Sequence, residues 1–93
     1  MKDEEPHKNT KRIMQLSFLE LGETAIVVGI SHECTGPQRR RLLDFGFVPG
    51  RRIKAVIKSA FGCTVGYSIL GTTVGLRKQQ TKLILVERKN EKE

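Results

Sequence analysis

Eleven consecutive residues, RRLLDFGFVPG from Arg40 to Gly50, constrain this chain more than any other stretch. They spell a short helix, a forced stop and a tight turn without a gap. Pro37 suits the first helical turn, where a missing N–H is no loss, and Thr35 or Gly36 can stand at the cap before it. Leu42, Leu43 and Phe45 supply one apolar stripe, which leaves Arg39, Arg40, Arg41 and Asp44 facing water. Gly46 falls where a left-handed residue ends a helix, and Phe47 is then placed to pack back on Leu42. Val48-Pro49-Gly50-Arg51 has proline and glycine at the central positions of a type II turn, so the chain reverses and leaves as a strand.

The remaining pattern is that of short strands between glycine turns. Leu16 to Gly22 reads as a lead-in turn, with Leu16, Leu19 and Leu21 closing one end of a core. Thr24 to Ile30 is a strand whose Ile26, Val28 and Ile30 share one face. Arg52 to Ser59 follows the turn, with Ile53, Ala55 and Ile57 inward and Arg52, Lys54 and Lys58 outward. Phe61-Gly62 makes a turn, and Val65, Tyr67 and Ile69 mark a third strand. Gly71-Thr72 returns into a fourth, Thr73 to Arg77. Lys78 to Thr81 suits one helical turn before Lys82 to Glu87 completes the sheet. Gly66 and Gly75 fall inside strands and are read as places where a small barrel bends sharply. Five strands and one intervening helix, between the first and second, imply a small closed or nearly closed barrel, since closure removes exposed edges.

Composition agrees. Ninety-three residues suit one domain; with 38% hydrophobic and 5% aromatic residues and no tryptophan, its core must be made mainly of Val, Ile and Leu. Residues 1–13 and 88–93 are charged and without apolar period, and are expected to be mobile tails around a domain at 14–87.

The motif and its flanks resemble the FeoA family, small cytoplasmic proteins of bacterial ferrous-iron uptake. The likeness runs from about Leu16 to Val86 through a leucine-and-glycine lead-in (LSFLELGETAIVVGI), the RRLLDFGFVPG core, a glycine-containing link and a final hairpin (TTVGLRKQQTKLILV). Where the family often carries Gly-Asp-Pro in the link, this chain has Gly62-Cys63-Thr64. The resemblance implies an SH3-like barrel, and a partner in FeoB, the membrane permease that contains a GTPase.

The formal net charge is +7. Four basic and three acidic groups lie in residues 1–15 and three of each in 87–93, which leaves about +6 in the middle. Between Arg39 and Lys58 seven cations (Arg39, Arg40, Arg41, Arg51, Arg52, Lys54, Lys58) face the single acid Asp44. Such a face attracts phosphates, an anionic membrane surface or an acidic protein. Nucleic acid is not expected, because Tyr67 is the only tyrosine and Phe45, Phe47 and Phe61 read as core and turn residues, leaving no stacking platform. No stretch approaches the roughly 18 apolar residues of a membrane span, and the N-terminus lacks the apolar run of a secretory signal. The expected location is cytoplasmic, with Cys34 and Cys63 as free thiols.

The inventory for catalysis is poor. His32 and Cys34 are two apart, a spacing that does not make a hydrogen-bonded base and nucleophile on a strand or loop. Glu20, Glu23, Glu33 and Asp44 show no paired spacing, and GTTVG lacks the Gly-Lys-Ser/Thr ending of a phosphate loop. No enzyme is expected. His32, Cys34 and Cys63 would suit Zn²⁺ better than Fe²⁺ if their loops met, but they have no CxxC or HxxxH regularity, and the favoured reading is two structural cysteines and a solvent-facing histidine. No cofactor is required on this reading. The partner-binding residues are expected to be Arg39, Arg40, Arg51 and Arg52. The alternative is a stand-alone barrel related to the C-terminal domain of DtxR-like metal-dependent repressors, binding a transition metal or a regulatory partner. A helix-turn-helix is not expected ahead of the barrel.

Overall fold

The computed structural model describes residues 13–89. The chain forms β1 (Ile13–Gln15), a 3-10 turn (Leu16–Phe18), β2 (Thr24–Ile30), α1 (Gly36–Phe45), β3 (Arg52–Lys58), β4 (Thr64–Ile69), β5 (Thr72–Arg77), α2 (Lys78–Thr81) and β6 (Ile84–Lys89). The strands make one antiparallel sheet in the order β1-β6-β2-β3-β4-β5. The two charged tails lie outside the described residues, except that Ile13, Arg88 and Lys89 stand in strands, opposite Glu87, Ala25 and Thr24.

There are six strands where five were expected. The added one is β1, three residues held by pairing Met14 with Val86. With β1 counted, α1 lies between the second and third strands. β1 and β5 end the sheet, and α2, which follows β5, touches both β5 and the 3-10 turn that follows β1. The two ends of the sheet are thereby drawn together at one rim.

Two register shifts set which side chains enter the core. In β2 the pairing with β6 slips between Val27 and Gly29, so Ala25, Val27 and Ile30 are buried, whereas Ile26 is half-buried and Val28 exposed. Ile26, Val28 and Ile30 therefore do not share one face as expected, because that extra residue inverts the alternation between Val28 and Ile30. In β3 the slip comes between Ala55 and Ile57, so Ile53 and Ala55 point inward as expected but Ile57 is exposed. Ile57 lies instead across Gly66 of the neighbouring strand: a Cβ at Gly66 would stand 2.7 Å from Ile57 Cγ2 and 3.0 Å from Thr73 Cγ2. Gly66 therefore serves a close approach of side chains, opposite the register shift in β3.

The core gathers Leu16 and Leu19 from the lead-in, Leu42 and Phe47 from either side of the helix stop, and alternating residues of β2 to β6, among them Tyr67, Ile69, Leu76, Ile84 and Val86. Leu21, expected at its end, is exposed, and so is Phe61. Phe45 lies at the edge of the helix stripe and is 38% exposed.

Candidate functional site

Helix α1 and the turn after it carry four of the seven cations between Arg39 and Lys58 (Arg39, Arg40, Arg41 and Arg51), and their backbone is set by local chemistry. Thr35 is the capping residue in extended conformation and Pro37 occupies the first turn. At the other end Gly46 takes φ 111°. Its N–H donates to the Leu43 carbonyl at 2.9 Å and the Phe47 N–H to the Leu42 carbonyl at 3.2 Å, the paired bonds of a Schellman stop. Leu42 and Phe47 are both fully buried, which completes the motif with its apolar contact. Next, Arg51 N–H donates to the Val48 carbonyl at 3.1 Å with Gly50 at φ 92°, as a type II turn requires. The turn is docked on β2, because Gly50 donates to the Val27 carbonyl and Val27 to the Arg51 carbonyl.

This frame distributes the arginines unequally. Arg40 and Arg52 are exposed. Arg51 is half-buried, with a guanidinium nitrogen 3.5 Å from where a Gly46 side chain would begin. It therefore sits beside the carbonyl end of α1, where the helix dipole favours a cation. Arg39 is not on the wet face expected of it. It is half-buried, and its Nη1 donates to the carbonyl oxygens of Ile30 at 3.4 Å, Ser31 at 3.3 Å and Cys34 at 3.3 Å. The loop between β2 and α1 turns tightly, Cys34 N–H donating to the Ser31 carbonyl. Its carbonyls converge on one cation.

A cleft of about 470 Å³ opens between the first turns of α1 and α2, lined by Pro37, Gln38, Arg41, Arg77, Gln79 and Gln80. Its two charged groups are both arginines, and Arg41 and Arg77 are exposed. Arg41 stands in the basic run, next to Arg40. Arg77 had no local signal: it reaches the cleft because β5 ends beside α1, and its own N–H is held by Gln80 Oε1 at 2.9 Å, which fixes the start of α2.

The three candidate metal ligands are not brought together. Cys34 is buried in the core as a small apolar side chain, His32 is exposed, and Cys63 is exposed on the β3–β4 hairpin, its Sγ 4.0 Å from the Phe61 carbonyl. Among the described residues no group of three His, Cys, Asp or Glu side chains could hold a metal ion. Nor is any helix among them long and apolar enough to cross a membrane.

Residues 14–88 match the family model of the FeoA domain. In Porphyromonas gingivalis, a fusion protein of Fe(2+) transport protein A and the Fe(2+) transporter FeoB is 36% identical over 74 residues, 80% of this chain; the match spans 8% of that protein's length. Among solved structures, a FeoA-like protein from Clostridium acetobutylicum superposes with a TM-score of 0.76 at 31% identity, over 87% of this chain and 92% of that one. FeoA of Stenotrophomonas maltophilia, described as a prokaryotic SH3 domain protein and solved with zinc, gives 0.70 at 29% identity over 80% and 89%. A manganese-dependent transcriptional repressor gives 0.73 at 22% identity over 85% of this chain and 43% of that one, a likeness of fold alone.

Proposed function

Since the chain belongs to the FeoA domain family, whose members are named for ferrous-iron transport, we propose that it is an accessory of that transport acting by contact with the cytoplasmic part of a FeoB-like permease. The observation that carries this reading is the fusion in Porphyromonas gingivalis, where a segment matching most of this chain shares one polypeptide with a FeoB transporter. Covalent linkage holds two domains at high effective concentration, an arrangement that suits partners which meet repeatedly.

The surface supports contact more than turnover. Exposed cations at Arg41 and Arg77 line an open cleft, with Arg40 beside Arg41 on the helix and Arg52 exposed at the start of β3, and long-range attraction from such cations speeds encounter with an acidic partner. Arg39 drops out of the proposed contact set, because its guanidinium is committed to three carbonyls. Arg51 contributes charge from beside the helix end. Iron is the cargo of the process, and the reading requires no metal bound by this chain. The expected alternative, kinship with the barrel of a metal-dependent repressor, is supported by fold likeness only.

A pull-down tests this. The purified chain is immobilised and offered the soluble GTPase portion of the permease, with and without guanine nucleotide. Retention in at least one nucleotide state is expected; no retention in any state removes direct contact with that portion as the mode of action.

A further inference from the structure

A second, smaller pocket lies away from the arginine cleft, where the 3-10 turn, the β3–β4 hairpin and α2 meet. It holds about 140 Å³ and its polar lining includes Ser17, Lys58, Cys63, Tyr67, Lys78 and Thr81. We propose that this pocket binds a carboxylate, and that its occupant is an Asp or Glu side chain of the partner protein. The choice of occupant rests on the contact reading above; the preference for carboxylate does not.

The donors decide the chemistry. Tyr67 is 1% exposed, yet its hydroxyl has no hydrogen-bond partner among the described residues. A buried hydroxyl in that state is unfavourable and calls for an acceptor. Burial pushes its pKa up to about 12, so it remains a donor at neutral pH. The Ser17 and Thr81 hydroxyls already donate, to Gln15 Oε1 at 3.3 Å and the Lys78 carbonyl at 3.2 Å. The remaining donor-bearing residues of the lining are Tyr67, Lys58 and Lys78, with no Asp or Glu among them. That set favours an anion with two acceptor oxygens.

Size and surroundings narrow the anion. The volume accommodates a carboxylate tip with a water or two, at about 30 Å³ for each water. The adjoining groove shares Ser17, Leu19, Lys58 and Val65 with the pocket and adds Phe18, Glu20 and Leu21, of which Phe18 and Leu21 form an apolar shelf 63% and 50% exposed. A free anion has no use for that apolar shelf. An acidic residue within an apolar stretch of polypeptide fills both.

The chain carries one tyrosine and no tryptophan, so its ultraviolet emission comes from the proposed ligand group. The probes are the capped tripeptide leucine-glutamate-leucine, its glutamine counterpart and sodium acetate. The glutamate peptide is expected to change tyrosine emission saturably and to shift the backbone amide resonances of Cys63 and Lys78. The glutamine peptide should bind about tenfold more weakly, the scale of one charge-assisted hydrogen bond. Tyr67→Phe, followed by the amide resonances, and Lys58→Gln with Lys78→Gln should each weaken the glutamate peptide by a similar factor. Equal binding of the two peptides, or binding indifferent to both variants, overturns the pocket. Acetate binding as tightly as the glutamate peptide overturns the side-chain occupant. Charge reversal at Arg41 and Arg77 should leave the tripeptide unaffected, so failure of the pocket and failure of permease contact are read separately.

Discussion

The Nη1 of Arg39 donates to the carbonyl oxygen of Cys34 at 3.3 Å, tying the helix that carries the basic run to the loop that leads into it. With the bonds to Ile30 and Ser31, one guanidinium satisfies three carbonyls at the exit of β2. Arg39→Ala should therefore lower stability by about 1–2 kcal/mol, as expected for lost bonds between a charged donor and part-buried acceptors. Arg40→Ala, at an exposed neighbour, should stay within about 0.5 kcal/mol. Arg39→Lys should recover only part of the loss, because its ammonium nitrogen falls one bond short of the position that Nη1 occupies. Urea denaturation of the three variants checks this; equal losses for Arg39→Ala and Arg40→Ala would make the three contacts energetically idle.

Gly46 and Gly50 separate strain from crowding. Both have positive φ, at 111° and 92°. A Cβ at Gly46 would also meet Leu70 Cδ1 at 3.2 Å and Ile69 Cδ1 at 3.3 Å, whereas nothing lies within 4 Å at Gly50. Gly50→Ala should cost about 1 kcal/mol from left-handed strain alone, and Gly46→Ala more than that. Thermal unfolding orders them, and a larger loss at Gly50 would contradict the close packing of the helix stop on the β4–β5 hairpin.

The helix stop and the turn were legible because each is decided within a few residues: a left-handed position takes glycine whatever the rest of the chain does. The lone turn Lys78–Thr81 was legible for the same reason. Strand phase was not, since the slips at Val28 and Val56 arise from pairing with β6 and β4 and leave no mark on the local pattern. β1 was invisible because three residues become a strand only through β6. At the candidate site, the exposed positions of Arg40 and Arg52 were readable from strand and helix period. The capture of Arg39 was not, because its acceptors are backbone groups of a loop whose course no residue spacing reveals. Arg77 joins Arg41 across a separation of more than thirty residues. Phe61 stands in the turn where the Phe61-Gly62 pair places it, 91% exposed at the hairpin tip.

Tyr67 should make stability fall in alkali. Its folded pKa is pushed up to about 12 from 10.0 by burial, so the folded state holds the proton more tightly than the unfolded state. The resulting stabilisation is fully present below pH 10 and is lost as pH rises through about 12; two units correspond to a few kcal/mol, about 1.4 for each. Absorbance of the phenolate follows the single tyrosine directly. A midpoint near 10 in the folded protein would show the ring to be hydrated.

The thiols should behave as two separate groups. Cys63, exposed, should react with a disulfide reagent at once, and Cys34, buried in the core, only at the rate of unfolding. In anaerobic calorimetry, Cys34→Ser with Cys63→Ser should bind Zn²⁺ or Fe²⁺ as the parent does, since two separated thiols do not form a tetrahedral site. A stoichiometric metal site lost in that variant would reinstate His32, Cys34 and Cys63 as a functional centre.

Contact through the basic cleft is best tested by the affinity of the chain for the permease's soluble GTPase portion, measured across a salt series for the parent and for Arg41→Glu with Arg77→Glu. Binding should weaken as salt rises, and the double variant should lose at least about tenfold at low salt while unfolding at the parent's temperature within a few degrees. Parent affinity that ignores salt, together with a double variant that binds as well as the parent, would contradict the proposed surface.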